Sequence, residues 1–253
     1  MKIVRFKTES LTSYGVLEKE RIRLLAGEPY ASIQLTGDEC SVADVTFLAP
    51  CEPSKIVAVG INYTSHAKEL DFQIPPVPLI FLKPPSAVIG PEENIVLPQM
   101  SQQVDYEGEL AVIIGRETKD ISEENALDAV FGYSCINDVT ARDLQKKDVQ
   151  FTRSKSFDTF APMGPCVETE LDPCQVDVKS YVNGEMRQNA NTSAMIRSVP
   201  ELISFISKIM TLFPGDVIAT GTPAGVGPLQ AGDSVSVEIN AIGILSNGVI
   251  SAE

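Results

Sequence analysis

The chain contains a single histidine, His66. That scarcity excludes the His-rich zinc sites of hydrolases and deaminases, so any bound metal has to be held mainly by carboxylates. Cysteine is sparse as well: Cys40, Cys51, Cys135, Cys166 and Cys174 are scattered, odd in number and free of any C-x-x-C spacing. Such thiols are expected to be reduced and mostly buried, and they fit neither a disulfide framework nor a thiolate zinc site. Basic residues are outnumbered, with 20 Lys and Arg against 34 Asp and Glu and a net charge of −14. Without a basic patch for a phosphate backbone, no nucleic-acid partner is expected. There is no run of about 18 apolar residues, hence no expected membrane span. Residues 1–7 alternate like a strand and lack the apolar centre and cleavage site of a signal peptide, so the expected location is cytoplasmic. Internal repeats, low-complexity segments and heptads are absent too.

What remains is an ordinary globular composition, 43% hydrophobic and 21% charged over 253 residues. That is enough chain for one sizeable core, or a core with a small appendage. Short strands at residues 3–6, 14–17 and 21–25, joined by charged turns, predict a small N-terminal β domain over residues 1–52. Pro50 and Pro53 mark its seam with a main domain over residues 53–253. In the main domain, residues 55–60 and 131–136 read as buried strands, and Asn183-Gly184 as a two-residue hairpin turn. Short helices are expected over residues 65–70, from Ser122 through Val130, and over residues 140–146. Ser198-Val199-Pro200-Glu201 reads as a capping box opening a helix that turns Leu202, Phe205, Ile206 and Ile209 to the core. Strands outnumber helices, and the expected class is a strand-rich α+β fold.

The most informative stretch is Asp105-Tyr106-Glu107-Gly108-Glu109-Leu110, followed by the apolar run Ala111-Val112-Ile113-Ile114. In a strand, residues i and i+2 share a face, so Glu107 and Glu109 project side by side. Two adjacent carboxylates entering an interior call for a compensating cation, and a hard one such as Mg²⁺ is the first candidate. The spacing alone also fits a solvated edge strand. Asp138, at the end of a buried strand, supplies a third carboxylate, although a helix N-cap would use the same residue type. His66 and Glu69 are three apart on a short helix, an arrangement that suits a water-activating base or a routine surface pair. Arg153, Lys155 and Phe157 alternate, which would turn Lys155 inward as a positive charge near the acidic site unless it is simply solvated. The glycine-rich loop over residues 221–227 can bind anions through its N–H groups, but it matches neither a P-loop nor a dinucleotide fingerprint.

Six motifs occur in order: Gly60-Ile61-Asn62-Tyr63 with His66 and Glu69; Phe81-Leu82-Lys83-Pro84; Tyr106-Glu107-Gly108-Glu109-Leu110; Asn137-Asp138-Val139-Thr140-Ala141-Arg142-Asp143-Leu144-Gln145; Lys155-Ser156-Phe157; and Thr220-Gly221-Thr222-Pro223. From about residue 54 to the C-terminus this resembles the fumarylacetoacetate hydrolase superfamily, in the style of bacterial members related to 2-hydroxyhepta-2,4-diene-1,7-dioate isomerase and acylpyruvate hydrolase. The first 50 residues resemble the small N-terminal domain of many such members. The resemblance implies a mixed β-roll with short helices around it, usually a homodimer. It implies Glu107, Glu109 and Asp138 as ligands of Mg²⁺ (or Mn²⁺), with His66 and Glu69 as a water-activating dyad on a lid. Lys155 would stabilise or protonate an enolate; Arg142, Gln145 and Lys83 would contact substrate; and Thr222 with its loop would hold the substrate carboxylate. The substrate implied is a small 2-oxo acid, which can chelate the metal through its carboxylate and 2-oxo oxygen. C–C hydrolysis, isomerisation, and oxaloacetate tautomerisation or decarboxylation all use the same constellation and stay open. A non-catalytic, metal-stabilised homologue is the reading from another class.

Overall fold

The computed structural model describes residues 1–252. Its spine is the strand Gly108–Ile114, every residue of which is buried because both faces are covered. Leu110, Val112 and Ile114 enter one apolar cluster, while Ala111 and Ile113 enter another on the opposite side. A period of two thus divides one apolar run between two cores. Complete burial of each Leu, Ile or Val in it contributes about 1.5–3 kcal/mol.

This strand lies inside a 12-stranded sheet whose main path runs Leu35–Ser41, Arg21–Leu25, Thr12–Glu18, Lys2–Lys7, Ala161–Glu168, Val130–Asn137, Gly108–Ile114, Val217–Ala219, Ile56–Gly60 and Leu79–Lys83. The sheet is mixed: Val217–Ala219 pairs parallel with Ile56–Gly60, and the spine pairs antiparallel with both of its neighbours. The three N-terminal strands form the expected meander, and Lys2–Lys7 continues it into the large sheet by pairing with Ala161–Glu168. A five-stranded sheet covers one face, contributing Val178, Val237, Ile239 and Leu245 to the same cluster as Leu110 and Val112. Close approach of this second sheet explains Gly108, where a Cβ would collide with Ser180 Oγ. The architecture is a strand-rich α+β fold. No helix among the described residues is long and apolar enough to cross a membrane.

The α-helices are short and peripheral: α1 (Thr64–Glu69), α2 (Arg142–Lys147), α3 (Thr152–Lys155) and α4 (Val199–Ile209). Four local expectations are corrected. The helix expected from Thr140 begins at Arg142, because Thr140–Ala141 is first used as a strand pairing with Val104 and Asp105. The segment expected to alternate around Lys155 is the single turn α3, with Lys155 N–H donating to Phe151 O at 3.0 Å. The helix expected after Ser122 is wound as 3₁₀ over Glu123–Ala129, with Ser122 at its N-cap position but without a side-chain cap bond. In α4, Ser198 caps as expected by accepting from Glu201 N–H, but the buried stripe includes Val199 and Ile203, while Ile209 is half exposed. The hairpin at Asn183-Gly184 is present, with both residues at positive φ.

Candidate metal centre

The acidic site forms where the spine strand begins. Its antiparallel ladder sets Gly108 opposite Asn137 and Glu109 opposite Ile136. Two further bonds stitch the ends together: Glu107 N–H donates to Asn137 Oδ1 at 2.9 Å, and Asp138 N–H donates to Glu107 O at 2.8 Å. Register therefore delivers Asp138 to the glutamate pair. One oxygen from each of Glu107, Glu109 and Asp138 lies within 4.8 Å of the others, and all three residues are buried. Asp138 caps no helix; its carboxylate belongs to this cluster.

Fixed cations surround the cluster. Lys155 Nζ donates to Glu107 Oε2 at 2.8 Å and to Asp138 Oδ2 at 2.6 Å, and sits 4.9 Å from the centre of the Phe81 ring. Arg142 bonds Asp105 through Nε at 2.8 Å, Gln145 through Nη1 at 2.6 Å, and Glu107 through Nη2. Lys83 was expected to touch substrate; instead it lies fully buried behind Asp138, donating to Oδ1 at 2.6 Å and to Val139 O at 3.1 Å, and does not line the cavity. Burial and the nearby Lys155 charge push the Lys83 pKa down, against the pull of Asp138. Burial opposes charge on Lys155 as well, but Asp138 and Glu107 outweigh it and raise its pKa. Glu107 is held well below the ordinary carboxylate range: burial would raise it, and Lys155 and Arg142 overcome that.

Glu109 is the exception. Four carboxylates, those of Asp105, Glu107, Glu109 and Asp138, face three cations. Among the described residues no ion pair reaches Glu109, whose Oε2 accepts only the Gly221 N–H at 2.7 Å. Burial, reinforced by the neighbouring Asp138 and Glu107, raises its pKa well above the usual value. A buried carboxylate in that position takes up a proton or a cation. The all-oxygen donor set suits a hard divalent ion, and the cavity beyond leaves room for further oxygen ligands. The three residues could therefore hold a metal ion.

That cavity is lined on its polar side by His66, Glu107, Glu109, Asp138, Arg142, Gln145, Lys146, Lys155 and Thr222. Helix α1 brings His66 to its edge, with Nδ1 3.1 Å from Glu69 Oε2. A carboxylate anion only accepts, so such a contact favours the tautomer with its proton on Nδ1 and Nε2 free to accept a hydrogen bond. Thr222 lines the cavity, but its hydroxyl donates to Gly108 O at 2.9 Å and accepts from Gln188 Nε2 at 2.7 Å. Its proton is thus spent inside the fold. Sequence reasoning passed over Asp105, which fixes Arg142, although the acidic period Asp105, Glu107, Glu109 carried that signal. It also gave no account of the apolar wall of Val59, Ile61, Leu70, Leu79, Phe81 and Phe151.

Comparison with known proteins places the chain in a family. Residues 55–250 match the family model for the fumarylacetoacetate (FAA) hydrolase C-terminal domain, and residues 1–50 match the Rv2993c-like N-terminal model. The solved structure of 5-carboxymethyl-2-hydroxymuconate delta-isomerase from Mycobacterium smegmatis is 41% identical, covers 100% of both chains and superposes with a TM-score of 0.95. Maleylpyruvate hydrolase from Sphingobium sp. SYK-6, solved with manganese (II) ion and pyruvate, is 31% identical over 100% of both chains with a TM-score of 0.83. The mitochondrial oxaloacetate tautomerase FAHD2B of Bos taurus is 43% identical over 221 residues, 82% of this chain and 70% of that protein. Family match, fold and acidic centre coincide: the chain belongs to the fumarylacetoacetate hydrolase family.

Proposed function

We propose that this protein is a Mg²⁺- or Mn²⁺-dependent enzyme that acts on small 2-oxo acids through an enolate, cleaving a C–C bond by hydrolysis or shifting a proton. The observation that carries this reading is the convergence of Glu107, Glu109 and Asp138, with Glu109 lacking an ion-pair partner, at a cavity that also presents Lys155 and His66. Glu107, Glu109 and Asp138 would hold the divalent cation, which would supply Lewis acidity toward a 2-oxo acid. Lys155 adds a fixed positive charge on the same wall, where exclusion of water strengthens its effect on a developing oxyanion. Arg142 and Gln145 meet substrate from α2. His66, its Nδ1 proton held by Glu69, takes a proton from water at Nε2. Addition of that water to a second carbonyl, followed by C–C cleavage, leaves the electron pair in the enolate, which then accepts a proton. If His66 instead moves a substrate proton with no water added, the outcome is tautomerisation or isomerisation.

The manganese and pyruvate in the maleylpyruvate hydrolase relative support the metal and the 2-oxo acid class. Similarity to the oxaloacetate tautomerase supports a second reading, keto–enol exchange of oxaloacetate at the same site. The discriminating experiment is a panel of acylpyruvates, oxaloacetate and hydroxydienedioates assayed with Mg²⁺ and with chelator. Metal-dependent turnover of at least one member is expected, and its bond change tells hydrolysis from tautomerisation. No turnover of any member, with or without Mg²⁺, would favour a metal-stabilised, non-catalytic protein.

A further inference from the structure

Tyr106 immediately precedes the first carboxylate of the centre, yet its own contacts lead elsewhere. Its buried ring ends the strand Val104–Tyr106, and its hydroxyl donates to Gly225 O at 2.7 Å. The N–H of the same glycine donates to Glu69 Oε1 at 2.9 Å. The other oxygen of that carboxylate, Oε2, is the one 3.1 Å from His66 Nδ1. One residue along, Ala224 N–H reaches Ser65 Oγ at 3.4 Å, a second tie between the loop and α1. Gly225 has φ of +105°, and a Cβ there would collide with the Arg187 carbonyl oxygen, so only glycine can occupy the joint.

The geometry points to Tyr106 as a positioning residue for His66, acting through Gly225 and Glu69 to fix which imidazole nitrogen carries the proton. Glu69 sits on a six-residue helix with its side chain partly in solvent. Its rotamer therefore needs an external hold. The Gly225 N–H engages Oε1, which turns Oε2 to the imidazole. Gly225 is in turn gripped at its carbonyl by Tyr106. The strand segment that carries the metal ligand Glu107 thus also carries the anchor of the base, so both halves of the site share one reference. This inference rests on the reading of His66 and Glu69 as the proton-moving pair, and the test separates the two.

Because His66 is the only histidine, the full-length protein labelled with ¹⁵N in its imidazole gives one uncrowded ring spectrum, and neutral tautomers are read from the two nitrogen shifts. With Mg²⁺ present, the wild type is expected as the Nδ1–H tautomer. Tyr106→Phe keeps the buried ring but releases Gly225, and a mixture of tautomers is expected. Its kcat for acetylpyruvate hydrolysis should fall roughly three- to tenfold, the effect of one hydrogen bond, with KM and Mg²⁺ affinity changed by less than about twofold. Glu69→Gln is the internal control. The Gly225 N–H holds its amide oxygen, the amide nitrogen faces His66, and the Nε2–H tautomer is expected. A Tyr106→Phe protein with the wild-type tautomer, or one whose kcat falls only in step with Mg²⁺ affinity, would overturn the positioning role while leaving the dyad intact. If His66→Ala and Glu69→Gln both hydrolyse as fast as wild type, the dyad itself is rejected and the positioning role falls with it.

Discussion

Replacing Lys155 by methionine tests the electrostatics of the centre in two independent ways. The lysine is 2% exposed and its ammonium joins Glu107 and Asp138 at 2.8 and 2.6 Å. Methionine has nearly the same reach and packs against Phe81 equally well, so little volume is lost. What is lost is the charge, and two buried carboxylates are left short of a partner. Breaking a buried pair on one side costs about 3–5 kcal/mol. For a chain of this size each kcal/mol lowers Tm by roughly 2–4 °C, so a fall of roughly 6–20 °C is expected without metal. Added Mg²⁺ should recover more of that loss in Lys155→Met than it adds to wild type, because it restores positive charge beside the same carboxylates. Activity should not recover with it. Loss of a fixed donor at a developing oxyanion costs about 2.7–4 kcal/mol, or roughly 10²–10³ in kcat. Calorimetric melting with chelator and with Mg²⁺, alongside steady-state kinetics on the best substrate, measures both. Unchanged melting without metal together with unchanged kcat would refute the reasoning, since Lys155 would then neither neutralise the acidic cluster nor serve the reaction.

Three further outcomes follow from the same geometry. His66→Ala should keep Mg²⁺ affinity, because the carboxylates lie on other elements, yet lose hydrolysis roughly 10²–10⁴-fold; metal-dependent decarboxylation of oxaloacetate should suffer less. Glu109, with its pKa raised by burial and by Asp138 and Glu107, holds a proton at pH values where an ordinary glutamate is ionised. Metal must displace that proton, so Mg²⁺ affinity should rise with pH and calorimetry in buffers of different ionisation enthalpy should detect proton release. Cys135→Ala should retain turnover and metal binding, because this thiol is buried in the sheet core with its Sγ 3.7 Å from Gly243 O and its pKa pushed up by burial.

Much of this centre was legible in the chain because its parts are local in sequence. A strand period of two placed Glu107 with Glu109, and a helical spacing of three placed His66 with Glu69. The large sheet then did what no local pattern encodes, setting Gly108 against Asn137 and thereby delivering Asp138. Lys155 was expected to face inward by strand alternation; it does face inward, but from the end of a helical turn, since a four-residue element carries too little periodicity to be typed. Lys83 was carried by its motif, which does not say which way its ammonium faces. A lysine in a buried strand can serve the cavity or the carboxylate behind it, and only the packing of Leu79–Lys83 on the sheet edge decides between them. The Tyr106–Gly225–Glu69 chain spans 156 positions between its last two members and leaves no pattern in either segment. Ile209, the last residue of α4, is left half exposed, while Met210 and Leu212 just beyond it turn back to the core and take the contacts the stripe assigned to it.

The proposed chemistry stands on one divalent ion held by Glu107, Glu109 and Asp138. Electron paramagnetic resonance of Mn²⁺ titrated into the wild type and Glu109→Gln is the direct test, because the amide keeps the Gly221 N–H bond and the side-chain volume while removing the one carboxylate of this centre without a cationic partner. One site per wild-type chain is expected, with a loss of affinity of roughly 10²-fold or more in the variant and turnover following metal occupancy. Equal Mn²⁺ binding by the two proteins, or full turnover by the wild type after complete removal of divalent ions, would contradict it.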